Sequence, residues 1–305
     1  MRALIAVGLL APVVLASAGQ APAPNPASPA PFDIYLVPMT TGLSSLKTAT
    51  PQPVATAPGY DNQPAFTDDG ARVLFAANRD GKQTDIYVFT RADRRIAQLT
   101  ATPTNENSPT PLPDGGFSVV MSEMDKTQRL WKFDAAGKNP KLLLADIKPV
   151  GYHAWLGADR LVLYILGAEG KPATLQIADI KSGKAEVAAD NVGRSLHRIP
   201  GTALASFVQR DAAGAYWIKQ IDITTKKIDV LTTTVEGSSD RDMAWMPDGK
   251  TILMTAGSKV FSWTRGDKGW SEVFDGSPHR LGAMSRLSVS PKGDAIAIVV
   301  AEAKK

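Results

Sequence analysis

The sequence predicts an all-β fold, a six-bladed β-propeller of four-stranded blades whose sixth blade is closed by strands from both termini. A tight turn recurs about every 45 residues, the length of one four-stranded blade, with copies at Asp69-Gly70, Asp114-Gly115 and Asp248-Gly249. The segment Asp33-Ile34-Tyr35 near the start repeats as Asp85-Ile86-Tyr87. The chain thus begins with the second half of a repeat and ends with the first half. We therefore expect a closed ring, which leaves only short, protected sheet edges.

Short apolar runs follow the recurring turns and predict the strands. Residues 72–77, 160–166 and 251–254 are rich in β-branched and large apolar side chains and are bounded by Gly, Asp, Asn or Pro. They are too short and too continuous for amphipathic helices. Aligning the repeats places four residues at one first-strand position: Phe66, Trp155, Trp245 and Val289. Repetition of large side chains at one position indicates packing between blades.

The repeat resembles the propeller repeat of the TolB family, which also occurs in the propellers of prolyl-oligopeptidase-type enzymes. The residues that carry the resemblance are 64–70 (PAFTDDG), 78–81 (NRDG), Asp85-Ile86-Tyr87, Gln98-Leu99-Thr100 and 244–250 (AWMPDGK). The resemblance covers residues 33–303 and implies a propeller over that range. It is a resemblance to the propeller portion only, since TolB carries an α/β domain before its propeller and this chain has no room for one.

The first 32 residues predict export. Arg2, the apolar run 3–15 and Ala16-Ser17-Ala18 read as a secretory signal peptide over residues 1–18. Residues 19–32 form an Ala/Pro-rich linker. The sequence contains no Cys, which excludes lipoprotein anchoring and disulfides. We expect a periplasmic or secreted protein that does not span the membrane after signal cleavage, and a monomer.

Charge and motifs exclude several functions. The net charge is only +4 and no basic stripe is present, so nucleic acid is not an expected partner. The sequence has no Gly-x-Ser-x-Gly nucleophile elbow and no phosphate-binding P-loop. No cofactor is expected. The prediction is a non-catalytic module of the cell envelope that binds a protein or peptide.

Polar residues at one level of the repeat predict the binding site. Arg194, Arg241 and Arg286 lie seven or eight residues before Gly201, Gly249 and Gly293. The same level carries Asn62 with Gln63, Asn107 with Ser108, and Tyr152, and Asp242 adjoins Arg241. We expect these side chains at one mouth of the central channel, where guanidinium groups suit the recognition of an anionic group such as a carboxylate. The alternative is that they form salt bridges and hydrogen bonds between blades.

A second hypothesis places a metal-dependent enzyme, a polysaccharide lyase or hydrolase, at the central channel. His153, His197 and His279 all lead into the first strand of a repeat, and some propeller lyases that resemble this family use channel histidines to hold a metal. The three lie at different depths relative to their turns, whereas ligands that converge on one axis should share a level. The prediction is therefore no metal site, with His153 and His197 as the alternative ligands.

Overall fold

The computed structural model describes residues 31–79 and 81–302. The predicted signal peptide (1–18), nearly all of the predicted linker (19–32), Asp80 and residue 303 lie outside the described residues. Two short 3-10 helices, Leu43–Thr48 and Ser277–His279, accompany the strands. Within the described ranges no helix has the length and apolar character that a membrane crossing requires.

The prediction of an all-β fold is confirmed. The strands in chain order are β1 (Phe32–Pro38), β2 (Gln52–Ala55), β3 (Tyr60–Phe66), β4 (Arg72–Asn78), β5 (Asp85–Thr90), β6 (Arg95–Gln98), β7 (Asn105–Pro111), β8 (Phe117–Ser122), β9 (Gln128–Phe133), β10 (Lys141–Leu142), β11 (Val150–Trp155), β12 (Arg160–Ile165), β13 (Thr174–Asp179), β14 (Lys184–Asp190), β15 (Val192–Arg198), β16 (Leu204–Arg210), β17 (Tyr216–Asp222), β18 (Ile228–Thr233), β19 (Met243–Trp245), β20 (Thr251–Ala256), β21 (Lys259–Thr264), β22 (Ser271–Asp275), β23 (Met284–Val289) and β24 (Ala295–Ala301).

Four of the sheets have four antiparallel strands each, β7–β10, β11–β14, β15–β18 and β19–β22. A larger, eight-stranded sheet contains two further antiparallel runs, β23-β24-β1-β2 and β3-β4-β5-β6. The two runs meet at one parallel pair, Phe32 with Tyr60. Strand β1 pairs with β24 along its whole length, from Phe32 opposite Ala301 to Pro38 opposite Ala295. The first and last strands of the described chain are therefore neighbours.

Apolar side chains fill the spaces between consecutive sheets. One cluster joins Val208 and Ile218 of the β15–β18 sheet to Trp245 and Met254 of the β19–β22 sheet. In another, Val37 of β1 packs with Leu253 of β20 and other buried residues. The continuous apolar runs thus form inner strands that are covered on both faces, as their composition predicts.

The strand ladders fix which residues of the different first strands are equivalent. Phe66, Trp155, Trp245 and Val289 each end a first strand and lie opposite the start of the next strand, which confirms their predicted equivalence. Pro111 and Arg198 occupy the same place in β7 and β15. We call these six places the aligned position.

A cluster of buried charge lies where β1, β3 and the end of β24 come together. Asp61 is fully buried and its carboxylate lies 2.6 Å from the Arg79 guanidinium. Burial raises the pKa of Asp61 from 3.8 to about 7, an effect that Arg79 opposes and that Asp33 and Glu302 reinforce. Burial, together with Glu302, raises the pKa of Asp33 to about 6. Both carboxyl groups therefore bind protons more tightly in the folded than in the unfolded chain.

These shifts predict that Asp61 and Asp33 contribute stability that the protein loses as the pH rises from about 4 to 7. A carboxyl whose folded pKa exceeds its unfolded value stabilises the fold fully below the unfolded pKa, and that contribution is lost as the pH rises through the folded pKa. Urea denaturation at pH 5 and pH 7.5 measures the difference. Asp61→Asn, which keeps the shape and removes the titration, should reduce it. Burial also raises the pKa of Glu106, which adds to the loss, and lowers the pKa values of His153 and His197, which oppose it, so the comparison with Asp61→Asn carries the test. The same change in the free energy of unfolding between the two pH values in both proteins would contradict the prediction.

Candidate functional site: the central channel and its arginine rim

A cavity of about 450 Å³ lies at the centre of the molecule, and every first strand contributes to its wall. The residues three places before the aligned position form one level of this wall. They are Gln63, Ser108, Tyr152, Ser195, Asp242 and Arg286. We call this cavity the central channel. Its wall at this level is polar and includes one full cation and one full anion.

Arg286 reaches across the channel to Tyr152. Its guanidinium donates a hydrogen bond of 2.7 Å to the Tyr152 hydroxyl and lies 5.2 Å from the centre of that ring. The Asp242 carboxylate is 3.9 Å from the same guanidinium. Only 9% of Arg286 is exposed. Burial disfavours its charge, but Tyr152 and Asp242 outweigh that effect and hold the pKa of Arg286 above its usual value. Arg286 is thus a permanent cation whose hydrogen bond to Tyr152 and ion pair with Asp242 lie inside the protein.

Arg194 and Arg241 lie further out and are more exposed. Arg194 forms an ion pair of 2.5 Å with Asp240, while its Nε, which is shielded from solvent, has no hydrogen-bond acceptor. The Arg241 guanidinium lies 3.7 Å from the centre of the Tyr216 ring and donates to the Ser239 carbonyl at 3.3 Å. We call Arg194, Asp240 and Arg241 the arginine rim. Among the described residues no carboxylate lies within ion-pair distance of Arg241.

The three predicted arginines do not all lie on the wall of the central channel. Arg194 and Arg286 line the central channel, whereas Arg241 does not. The reason is the backbone at residue 241, which has a φ of +52° and whose N–H donates to Ser238 Oγ. This turn precedes the short strand β19, and the neighbouring Asp242 takes the place on the channel wall.

Of the predicted pairs Asn62-Gln63 and Asn107-Ser108, the structure places the second member on the channel and the asparagine away from it. Bulges in β3 and β7 shift the register after each asparagine, with φ values of +58° at Gln63 and +54° at Ser108. The Asn62 Oδ1 accepts the Gln63 N–H at 2.7 Å, and the Asn107 Oδ1 lies 3.4 Å from Thr84 Oγ1. The side chains that line the channel are those of Gln63 and Ser108. A hydrogen bond of 2.7 Å from the Ser108 N–H to Gln63 Oε1 joins them.

The two candidate metal-ligating histidines form hydrogen bonds with serines of different sheets. His153 Nε2 lies 2.6 Å from Ser118 Oγ in β8. His197 Nε2 lies 3.2 Å from Ser195 Oγ, which also accepts the Met243 N–H of β19. Burial lowers the pKa of His153 to about 3 and also lowers that of His197, which Asp242 partly opposes. Both imidazoles are therefore neutral at physiological pH.

These contacts do not bring the histidines together. In the part of the chain that the structure describes, no group of three or more His, Asp or Glu side chains is arranged to hold a metal ion. His279, the third histidine, stacks on Phe274, with ring centres 6.1 Å apart, and does not line the channel. Its segment forms a 3-10 helix before β23 rather than part of the channel wall.

The channel differs at its two ends. At the end that carries the arginine rim, Arg286 and Asp242 are both buried. At the end that carries the recurring turns, the lining residues Asp68, Pro113 and Arg198 are exposed. We call this second end the turn face. The lining residues of the turn face are therefore more exposed than those at the level of Arg286 and Asp242.

Comparison with known proteins identifies the fold. No family model matches the sequence. The structure is similar to that of a putative TolB from Agrobacterium tumefaciens, with a TM-score of 0.70 and 16% identity over 90% of this chain and 99% of that one. TolB from Acinetobacter baumannii matches with a TM-score of 0.58 and 14% identity, over 90% of this chain and 65% of that one. An oligogalacturonate lyase solved in complex with manganese matches with a TM-score of 0.50 and 13% identity, over 79% and 89%. The fold is that of a TolB-like β-propeller.

Sequence reasoning missed one member of the site. Asp240, the partner of Arg194, directly precedes Arg241, so a run of alternating charge was the available signal. The pair Asn62-Gln63 was placed at the right level, but only the bulge decides which of the two residues faces the channel.

Proposed function

We propose that this chain is an exported, non-catalytic TolB-like propeller of six blades that binds a protein or peptide partner in the cell envelope. Six blades result when the two halves of the eight-stranded sheet, β23-β24-β1-β2 and β3–β6, are counted separately. Export rests on the signal peptide that residues 1–18 predict. The binding role rests on the arginine rim.

The observation that carries the proposal is unmatched positive charge at the arginine rim. The rim contains two guanidinium groups and one carboxylate. Asp240 pairs with Arg194, whereas the Arg241 guanidinium contacts the Tyr216 ring and the Ser239 carbonyl. A carboxylate from a partner, at a peptide C-terminus or an acidic side chain, would accept charge-assisted hydrogen bonds from the Arg241 guanidinium. Arg286 is bound inside the protein by Tyr152 and Asp242 and is not itself free to bind a partner.

Cross-linking in cells that export the protein tests this proposal. Arg241→Gln removes the charge while keeping a residue of similar length, and it should reduce the yield of cross-linked partner at least tenfold, because a charge-assisted hydrogen bond typically contributes about 1.5–3 kcal/mol. Arg210→Gln is the matched control, since the Arg210 guanidinium also lies near the Tyr216 ring, but at 5.8 Å from its centre. The control should capture the partner as the unmodified protein does. Equal capture by both variants would refute a role for the rim.

Metal analysis separates this proposal from the enzyme alternative. The protein purified without chelators would be examined by inductively coupled plasma mass spectrometry. The binding proposal expects no stoichiometric metal. One bound metal ion per chain, lost together with His153→Ala or His197→Ala, would instead support a metal-dependent lyase or hydrolase at the central channel.

A further inference from the structure

A second cavity, of about 760 Å³, lies on the turn face between the sheets β7–β10 and β11–β14. Its wall is mainly apolar and includes Leu112, Phe133, Leu143, Trp155 and Ile180. Trp155 and Arg198 line both this cavity and the central channel. We call it the side groove. Its volume is within the range of pockets that enclose small ligands, about 300–1,000 Å³.

The Trp155 ring differs from its counterparts at the aligned position in one respect. An arginine guanidinium lies over Phe66 at 5.8 Å and over Trp245 at 5.6 Å. These two arginines, Arg91 and Arg265, each directly follow a third strand, and their N–H groups donate to the carbonyls of Ala71 and Lys250.

The equivalent residue beside Trp155 is Ile180. It directly follows β13, and its N–H donates to the Asp159 carbonyl at 2.8 Å in the same way. The cation that covers the aromatic ring elsewhere is therefore replaced by an apolar side chain. Trp155 is half-buried, whereas Trp245 is only 6% exposed. The Trp155 indole ring and Ile180, which stands in the place of the arginine, both border the side groove.

The charges around the side groove are unbalanced. Its two carboxylates are satisfied, because Asp114 pairs with Lys132 and Asp134 accepts N–H groups of its own turn from Ala136 and Lys138. Two of its cations, Arg198 and Lys141, have no carboxylate within ion-pair distance in the described part of the chain. The Arg198 Nε donates to the Thr202 carbonyl at 3.1 Å, which orients the guanidinium and leaves its two terminal nitrogens available.

We propose that the side groove binds a small organic anion with an aromatic body, whose carboxylate pairs with Arg198 and whose ring lies on Trp155. An apolar wall with a few placed polar groups is typical of small-molecule sites. A planar guanidinium is suited to bidentate recognition of a carboxylate. The anionic group provides the partner that Arg198 lacks, and the aromatic body covers the indole face that no arginine covers. This site lies on the turn face and is separate from the arginine rim.

Isothermal titration calorimetry of the full exported chain with 1-naphthoate tests the proposal. Naphthoate should bind at millimolar concentration or below. The neutral isostere 1-naphthamide should bind at least tenfold more weakly, because it cannot form the charge-assisted pair with Arg198. Arg198→Gln should weaken naphthoate binding by a similar factor and leave naphthamide binding unchanged.

Two further variants complete the test. Ala158 is exposed and lines the side groove, so Ala158→Trp should fill the groove and abolish binding of both compounds. Arg160→Gln is the control, since Arg160 is an exposed arginine of the same hairpin that does not line the groove. Circular dichroism checks that each variant is folded. If Ala158→Trp does not fold, the Arg198→Gln variant by itself still tests the site. No heat with naphthoate, or equal binding by the Arg198→Gln and Arg160→Gln variants, would overturn the proposal. Partner capture through the arginine rim should persist in both groove variants.

Discussion

Deletion of residues 19–57 is expected to unfold the whole protein. The deletion removes β1 and β2, and with them the seven-residue pairing between β1 and β24. Side chains of β1 pack on both sides of the strand, with Ile34 and Leu36 in one apolar cluster and Val37 in another. Each such side chain contributes about 1.5–3 kcal/mol when fully buried. With Met39 and Leu46, which are also buried, the loss approaches the whole stability of a typical domain, about 5–15 kcal/mol.

Circular dichroism and thermal denaturation measure this outcome. The matched control deletes only residues 19–30, a segment whose sequence has no apolar face, and it should melt like the protein without its signal peptide. A chain that starts at residue 58 and melts cooperatively at the same temperature would contradict the role of β1. It would show that the unpaired edge of β24 is tolerated.

Trp245→Ala is expected to cost about 3–5 kcal/mol of unfolding free energy, the usual range for a buried large aromatic residue. The indole packs with Val208 and Ile252 between two sheets. Its Nε1 donates a hydrogen bond of 2.8 Å to Ser206 Oγ in β16, and the Arg265 guanidinium covers its face. The substitution therefore leaves a cavity and removes the donor to the buried Ser206 oxygen at the same place.

Urea denaturation gives the value, and Trp217→Ala is the control. Trp217 lies half-buried in the third strand of its sheet, and its Nε1 bonds to the exposed Asp211, so its removal should cost clearly less. A loss below about 1 kcal/mol for Trp245→Ala would show that the two sheets adjust without the indole. This result would contradict the prediction that large side chains at the aligned position stabilise the packing between blades.

The fold was predictable because it depends on repetition. Turn residues such as Asp248-Gly249 recur at one spacing, and a recurring spacing specifies a recurring hairpin whatever the intervening residues are. The echo between Asp33-Ile34-Tyr35 and Asp85-Ile86-Tyr87 predicted that the first described strand occupies a third-strand place. The structure places β1 there, between β24 and β2.

The site was only partly predictable because it depends on single-residue shifts. Counting back from the turn glycines brought the pairs Asn62-Gln63 and Asn107-Ser108 to the channel, and only the bulge in each strand decides that Gln63 and Ser108 line it. The same counting placed Arg241 on the wall, where Asp242 lies. A bulge inserts one residue and reverses which side chains face inward, and no composition rule locates it. The contact of Arg286 with Tyr152, 134 positions apart, is likewise invisible to a repeat-by-repeat comparison.

The hydrogen bond between Arg286 and Tyr152 has a mechanical consequence. It joins β23 to β11, two strands that belong to different sheets. An outward movement of either strand must stretch a charge-assisted hydrogen bond, which is stronger than a neutral one. The molecule should therefore resist widening along this one diameter more than along the others. Slow collective motions of the sheets should then change the distance between β23 and β11 less than the distances between other strands that face each other across the channel. One pair of side chains sets the direction of this stiffness.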